Sequence, residues 1–283
     1  MQGDDFLISA SRGKSRQLRE IIPPLSLEQT QAYLALAVSN EGSRLVARLG
    51  STEFRAMQRF RASRVLPVSR RMLACAEHKC LPFFSPFQYR KLLFDSGVYP
   101  LTTRSLNKFV AEMEAAIGSI DLLASWLDGE GEYLSLMGNV VPTSLEHLEP
   151  FWSPRPWTAS LEGKTVLVVH PFADTITAQF GHRRGEIHAN PRVLPPFKLR
   201  TVRAVQSLGR PDKRFSEWYY GLQWMTDQAL AVEFDVALIA CGSYGLPLAA
   251  AIKRAGHTAF HLGGALQLLF GIRGRRWEGI AGY

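Results

Sequence analysis

The segment FDVALIACGSYGLPLAAAIKRAGHTAFHLGG, residues 234–264, decides the fold class because it predicts a strand, a helix and another strand in succession. Residues 234–240 form an apolar run, which is typical of a strand buried on both faces of a parallel sheet. A helix is predicted over residues 248–255, and Gly256 is the glycine expected just past its end. Residues 258–262 predict the next strand. This alternation indicates an α/β, Rossmann-like fold with a mostly parallel sheet flanked by helices.

The same alternation extends outward along the chain. Residues 165–169 are a β-branched apolar run that predicts a second buried strand, and a helix is predicted after it over residues 173–184. Another helix is predicted over residues 215–231. Residues 45–49 predict a short strand that stops at Gly50, with a helical stretch after it.

The N-terminal part of the chain is predicted to be helical. Ser26 is a candidate N-cap for a helix that ends near Ser39, and Leu25 before it fits a hydrophobic staple. Over residues 105–126, apolar side chains recur every three or four positions, which predicts one long amphipathic helix.

The length of the chain allows one large or two small domains, and its composition is that of a globular protein. The chain has 283 residues, of which 46% are hydrophobic and 20% charged, and this excludes an intrinsically disordered chain. Residues 1–25 are predicted as a polar N-terminal arm and residues 26–283 as a single α/β domain, with a sub-domain break near residues 150–163. Three cysteines are too few for a disulfide framework. With no hydrophobic leader and no long apolar run, we expect a cytoplasmic protein.

The net charge points to an anionic partner. Lys and Arg number 33 against 25 Asp and Glu, which gives +8 at pH 7. Such an excess suits a nucleotide, phosphate groups, nucleic acid or an acidic membrane surface, and the charge alone does not choose among them. Peripheral contact with an anionic membrane is therefore one expectation.

Three predicted strands end in glycine, then a polar residue, then a helix. The carboxyl ends of parallel strands open onto one crevice, where glycine lets backbone N–H groups approach phosphate oxygens. The alternative is that these glycines only make tight turns. Neither G-x-G-x-x-G nor G-K-[ST] is present, so the dinucleotide and Walker motifs are excluded. The candidate nucleotide-binding residues at these turns are Arg48, Gly50, Ser51, Thr52, Gly242, Ser243, Tyr244, Gly245, Gly263, Gly264 and Gln267.

Further candidates are basic or amide side chains. Gln179 and Arg183 are four residues apart and share a helix face, while Arg273 and Arg276 lie in a basic, glycine-spaced stretch near Trp277. The planar guanidinium group suits phosphate, so these residues are candidates for nucleotide binding. The alternative is that they are solvated surface side chains.

Glu53 is the most notable carboxylate. It follows the strand and the Gly-Ser-Thr turn at the start of a predicted helix. Two roles are open: it complements the helix dipole, or it contacts a metal, a ribose or a reacting hydroxyl group.

The last third of the chain resembles the GT-D fold glycosyltransferases of bacterial surface glycan biosynthesis. The resemblance lies in CGSYGLPLA (241–249), HLGG (261–264) and FGIRGRRW (270–277), which are similar to the family patterns C-G-A-Y-G-x-P-L-A, H-x-G-G and F-G-I-x-G-x-R-W. GKTVLVVHPF (163–172) is similar to a middle block of the family. The resemblance covers about residues 42–277 and is most specific in the last third.

The resemblance implies a GT-D type domain that moves a sugar from a nucleotide-diphospho-sugar to a glycan or lipid-linked acceptor. In the family, an Asp-x-Glu motif after the first strand contacts the nucleotide-sugar donor and its divalent metal, Mn²⁺ or Mg²⁺. Glu53 matches the Glu, but Ser51 stands at the Asp, so Glu53 alone cannot form a full metal site. The resemblance makes Glu53 the candidate catalytic residue and metal ligand, and we add His170 and His261, at two strand ends, as candidate catalytic acids or hydrogen-bond donors.

Two other classes of function stay open. Ser51 in place of an acid favours a non-catalytic module that binds a nucleotide or sugar phosphate. A nucleic-acid-binding protein is favoured only by the net charge, and we expect no nucleic-acid partner.

Overall fold

A sheet of parallel strands runs through the centre of the structure, a computed structural model that describes residues 16–39, 42–64, 91–274 and 277–278. The strands are β1 (Leu45–Arg48), β2 (Leu122–Ser125), β3 (Val141–Ser144), β4 (Thr165–His170), β5 (Lys198–Arg203), β6 (Val236–Ile239) and β7 (Thr258–His261). They lie in the order β3-β2-β1-β7-β6-β4-β5, and every neighbouring pair is parallel. The predicted α/β class and parallel sheet are confirmed.

Helices cover both faces of the sheet. They are α1 (Leu27–Ser39), α2 (Ser51–Arg64), α3 (Thr103–Ile117), α4 (Ala173–Ile187), α5 (Trp218–Leu230), α6 (Gly245–Arg254) and the single turn α7 (Leu266–Leu269). The side chains of α2, α3, α5 and α6 pack in one hydrophobic core, and those of α1, α4 and α7 in a second core on the opposite face.

Strand β6 shows why its sequence is continuously apolar. Val236 and Leu238 belong to one core, and Ala237 and Ile239 belong to the other. All four side chains are fully buried. Because successive side chains of a strand point to opposite faces, a strand covered on both sides has no polar position.

The start of α1 follows the predicted capping pattern. The backbone N–H of Gln29 donates to Ser26 Oγ at 3.2 Å, and the backbone N–H of Ser26 donates to Gln29 Oε1 at 2.9 Å. This reciprocal pair is a capping box, and the predicted N-cap at Ser26 is confirmed.

The single helix predicted over residues 105–126 is wrong at its C-terminal end. Helix α3 ends at Ile117, and Leu122–Ser125 is strand β2. Strand β2 is buried between β1 and β3. Its consecutive apolar residues therefore reflect burial on both faces of the sheet and not one apolar face of a helix. The two edge strands, β3 and β5, were not predicted. Strand β3 contains Pro142, which an edge strand tolerates, and β5 alternates charged with apolar residues.

The topology opens a crevice at the carboxyl ends of four neighbouring strands. Helices α2 and α6 follow β1 and β6 onto one face, whereas α7 and α4 follow β7 and β4 onto the other. These strands lie in the order β1-β7-β6-β4. After any two neighbouring strands, the chain therefore continues to opposite faces of the sheet. Such divergence is where open parallel sheets bind ligands.

The two sides of residues 150–163 contribute to one sheet, because β1 pairs with β7. Within the predicted arm, Leu18 is fully buried and Leu25 forms a β-bridge with Thr143.

In the described parts of the chain, no helix combines the length and apolar character needed to cross a membrane.

Candidate functional site

A cleft of about 700 Å³ lies where the carboxyl ends of β1, β7, β6 and β4 meet. Ligand pockets typically have volumes of about 300–1,000 Å³, so the cleft is large enough for a nucleotide-sized molecule. It brings together most of the residues singled out in the sequence: Arg48, Gly50, Ser51, Thr52, Glu53, His170, Gly242, Ser243, His261, Gly263, Gly264, Gln267 and Arg273.

Other predicted residues do not line this cleft. Arg183 lies on the exposed side of α4, where its Nε is 3.6 Å from Glu186 Oε2. Gln179, one turn earlier on the same helix, is also outside the cleft lining. Arg183 therefore matches the solvated alternative, whereas Gln179 is half-buried. Arg276 lies outside the described residues.

Tyr244 and Gly245 lie behind the cleft wall. The ring of Tyr244 stacks on Trp218 with centroids 5.1 Å apart, and its hydroxyl group is 3.0 Å from Ser207 Oγ. Gly245 faces the imidazole of His261, and a Cβ at this position would lie 2.5 Å from His261 Nε2. These two residues therefore support the site, and the predicted nucleotide contact is not their geometric role.

Glu53 lies in the first turn of α2 and is 8% exposed. Its carboxylate lies so close to Gly50 that a Cβ at position 50 would overlap with it. Glycine at position 50 thus allows the carboxylate to fold back over the turn after β1. Glu53 lines the cleft and also sits at a helix N-terminus, so its position is compatible with either predicted role.

His261 is a neutral buried imidazole at the end of β7. It is 4% exposed, and burial, reinforced by the charge of Arg48, lowers the pKa of His261 to about 3. Among the described residues, the buried His261 Nδ1 has no hydrogen-bond partner. A hydrogen bond between the imidazole and the Arg48 backbone acts in the opposite direction and raises the pKa of His261.

His170, at the end of β4, is also neutral. Burial lowers the pKa of His170 to about 4, and its Nδ1 accepts the backbone N–H of Phe172 at 3.0 Å. A neutral imidazole whose Nδ1 accepts a hydrogen bond carries its proton on Nε2. Of the two predicted roles, the geometry supports hydrogen-bond donor rather than acid, because the imidazolium form is scarce at pH 7.

Arg48 forms the part of the cleft wall shared by β1 and β7. Its guanidinium carbon lies 4.9 Å from the ring centroid of Trp126. Gly263 has a φ of 62°, in the left-handed region that favours glycine. A Cβ at position 263 would lie 3.0 Å from Arg48 Cδ. Gly263 therefore makes the turn and also leaves room for the Arg48 side chain.

The C-terminal segment folds back across the end of β7. A Cβ at Gly264 would lie 3.2 Å from Trp277 Cη2, and a Cβ at Gly274 would lie 3.3 Å from Trp277 Cζ3. These two glycines allow the indole ring to pack closely. The same fold brings Arg273 and Glu278 to the cleft.

Ser243, which follows Gly242, stabilises another part of the cleft wall through hydrogen bonds. Ser243 Oγ accepts the indole N–H of Trp218 at 2.8 Å and donates to the carbonyl oxygen of Ser96 at 2.6 Å. Ser96 belongs to the π-helical turn Leu92–Ser96, which places Asp95 in the cleft. Ser243 is thus a positioning residue whose hydroxyl group is already engaged.

The described cleft lining is not strongly basic, since it includes two guanidinium groups and three carboxylates: Arg48, Arg273, Glu53, Asp95 and Glu278. Over residues 16–39, 42–64, 91–274 and 277–278, no three His, Cys, Asp or Glu side chains are grouped so as to hold a metal ion. Mg²⁺ is often bound by one or two carboxylates together with substrate phosphates. Glu53 therefore fits a metal only as a partial ligand, beside the oxygens of a bound diphosphate.

The polar cleft residues that were not predicted include Asp95, Thr175, Gln206 and Glu278. Gln206 follows β5, so recognition of the alternating residues 198–203 as an edge strand would have placed it at a strand end. Asp95 belongs to the π-helical turn Leu92–Ser96, for which the sequence carries no comparable signal.

Comparisons with family models, curated proteins and solved structures find no match to this chain. Any function assigned to the cleft therefore depends on its own geometry and on the motifs described above.

Proposed function

We propose that the chain is a glycosyltransferase that moves a sugar from a nucleotide-diphospho-sugar to a glycan or lipid-linked acceptor in surface polysaccharide biosynthesis. The observation that carries the proposal is the cleft, in which the strand ends of a parallel sheet, three of them with a glycine in the following turn, bring carboxylates, two guanidinium groups and two neutral histidines together. The resemblance of the last third of the sequence supports the same class of enzyme.

In the proposed transfer, the bond between the sugar C1 and a diphosphate oxygen breaks, and a bond from an acceptor oxygen to C1 forms. The electron pair leaves with the diphosphate, and the proton of the acceptor hydroxyl group passes to a carboxylate of the cleft. Arg48 and Arg273 would stabilise the charge that develops on the diphosphate, since charge-assisted hydrogen bonds strengthen as that charge grows.

The remaining polar groups would orient the donor. Glu53 would accept hydrogen bonds from the sugar hydroxyl groups, and His170 would donate one from Nε2 without adding charge. A bound Mn²⁺ or Mg²⁺ would supply further positive charge to the diphosphate, with Glu53 as its protein ligand.

A thermal-shift screen tests this proposal. UDP-, GDP-, CMP- and dTDP-sugars are added with and without Mn²⁺, because a ligand that binds only the folded state raises the melting temperature by mass action. We expect one nucleotide class to stabilise the chain in a saturable manner, more strongly with Mn²⁺ but measurably without it. No stabilisation by any of them, at millimolar concentration, would contradict the proposal.

The second candidate is a non-catalytic module that binds a nucleotide or sugar phosphate. Ser51 at the position of an acid, together with the partial metal site around Glu53, favours it. Incubation of the best ligand from the screen with purified protein separates the two candidates: release of nucleoside diphosphate, by transfer or by slow hydrolysis, supports an enzyme.

The proposal includes a cytoplasmic location with peripheral contact to an anionic membrane, where a lipid-linked acceptor would lie. The net charge of +8 and the low cysteine content support it. The three carboxylates of the cleft do not favour a groove for nucleic acid.

A further inference from the structure

A second cavity, of about 240 Å³, adjoins the cleft on the side of α7. Arg48, Gly264 and Trp277 line both spaces, so the cavity and the cleft share a wall. A molecule bound in the cleft could therefore extend into the cavity past the Arg48 side chain.

Aromatic rings and leucine side chains form most of the walls of this cavity. Trp126 and Trp157 belong to them, and their indole N–H groups donate to the carbonyl oxygens of Leu49 at 3.0 Å and Leu148 at 2.9 Å. These hydrogen bonds fix the orientation of both rings and use their polar atoms. Trp157 is 1% exposed and packs on Phe260, so the carbon surface open to the cavity belongs to the half-buried rings of Trp126, Phe151 and Trp277.

Two charged side chains complete the lining among the described residues, Arg48 and Glu149. Glu149 Oε2 accepts the indole N–H of Trp152 at 2.7 Å. A hexose carries hydroxyl groups around its whole ring and would leave several of them without partners here. A planar base suits the cavity better, because it has two apolar faces and only a few polar atoms at its edge.

The size of the cavity also favours a single ring system. Its volume is below the range of about 300–1,000 Å³ that is typical for whole ligands. A long lipid chain would not be enclosed in it. The diphosphate proposed to lie near Arg48 is joined to a nucleoside, so the neighbouring cavity is positioned to receive the base.

We propose that this cavity, next to the cleft, binds the base of the nucleotide donor by stacking against its aromatic walls. The inference rests on the proposed function, since it assigns one part of the donor to one part of the molecule. Base–aromatic stacking tolerates different bases, so a preference for any nucleoside diphosphate over base-free pyrophosphate is the expected signature.

The test compares nucleoside diphosphates with inorganic pyrophosphate by titration calorimetry at a fixed Mn²⁺ concentration. Probes are UDP, GDP, CDP, ADP and dTDP. In the unmodified chain we expect the best of them to bind at least about tenfold more tightly than pyrophosphate. Ala265→Leu fills the cavity from the α7 side, and we expect it to reduce this preference to within about twofold, with the affinity for pyrophosphate unchanged.

Ala231→Leu, at an exposed residue just after α5, is the matched control and should keep the full preference. Should Ala265→Leu fail to fold, Leu145→Phe, at another lining residue, fills the cavity instead. If a cavity-filling variant keeps the tenfold preference, the inference is overturned. The same holds if the variant weakens the binding of pyrophosphate as much as that of the nucleotide. Either result leaves the proposed function in place. If neither pyrophosphate nor any nucleotide binds the unmodified chain, both proposals fail together.

Discussion

The two sides of the cleft use similar glycine-containing turns in different ways. On the β1–β7 side, Gly50 and Gly263 make room for Glu53 and Arg48, whose charged groups line the cleft. On the β6 side, Ser243 hydrogen-bonds to Trp218 and to the chain at Ser96. One side therefore presents charge to a ligand, whereas the other holds the wall together.

This difference limits what a strand-end motif can predict. A glycine after a parallel strand indicates where backbone and side chains meet a crevice. Whether the next polar residue faces a ligand depends on the elements packed behind it, because a buried hydroxyl group is normally paired within the protein. The predictions below test this contrast.

Glu53→Gln tests the charged side and has the largest expected effect. If Glu53 holds the donor or a divalent ion, transfer falls at least about a hundredfold, or about 2.7 kcal/mol in the barrier. The free energy of unfolding should change by less than about 1 kcal/mol, since only a helix-dipole interaction is weakened. Transfer assays and urea unfolding measure the two effects. The exposed Glu162→Gln is the matched control, and full transfer activity in Glu53→Gln would remove Glu53 from the mechanism.

Ser243→Ala tests the supporting side. The change leaves the indole N–H of Trp218 and the carbonyl oxygen of Ser96 without their partner, and both are buried. We expect a loss of about 1–3 kcal/mol in the free energy of unfolding. Urea unfolding measures it, with the exposed Ser119→Ala as control. A stability equal to that of the unmodified chain would show that Ser243 does not hold the wall.

Gly242→Ala and Gly263→Ala compare the two sides directly. Both glycines have φ near 60°, so each substitution should lower stability by about 1–2 kcal/mol through backbone strain. A Cβ at position 242 would make an ordinary 3.5 Å contact with the Ser96 carbonyl oxygen, whereas one at position 263 would press on Arg48. Calorimetry should therefore show weaker nucleotide binding in Gly263→Ala alone. An equal loss in both variants would contradict the contrast.

The buried histidines predict a pH dependence of stability. Burial lowers the pKa of His170 to about 4 and that of His261 to about 3. As the pH falls below about 6.5, these two side chains therefore take up protons first in the unfolded chain. Their stabilisation is thus complete above about pH 6.5 and declines toward pH 4, by at most about 1.4 kcal/mol per pH unit for each group. Glu130 acts in the opposite direction, since burial raises its pKa and its contribution declines as the pH rises.

Paired variants isolate the histidine effect from that of Glu130. Between pH 7 and pH 5, His261→Gln should lose less stability in urea unfolding than the unmodified chain does. The exposed His182→Gln should lose as much as the unmodified chain. If the His261 variant shows the same decline as that control, the imidazole does not stay neutral in the folded state.

Much of the architecture could be predicted from local patterns. The buried strands β4, β6 and β7 were recognised from their apolar runs, and the cap at Ser26 from the spacing of its polar residues. Each of these patterns lies within a few consecutive residues. Strands β2, β3 and β5 were missed because neighbours remote in sequence define them. Half of the cleft lining was predicted as well, since parallel strands bring their carboxyl ends to one edge.

The sequence by itself determined the fold class and the edge of the sheet at which the site lies, because both follow from periodicity and from the order of strands and helices. Only the tertiary structure decided which side chains face the cleft. It assigned Tyr244 to a stack on Trp218, left Arg183 in solvent and brought Asp95 into the lining. The physical reason is that a side chain's hydrogen-bond partners, burial and pKa depend on residues far along the chain, which only packing brings into contact.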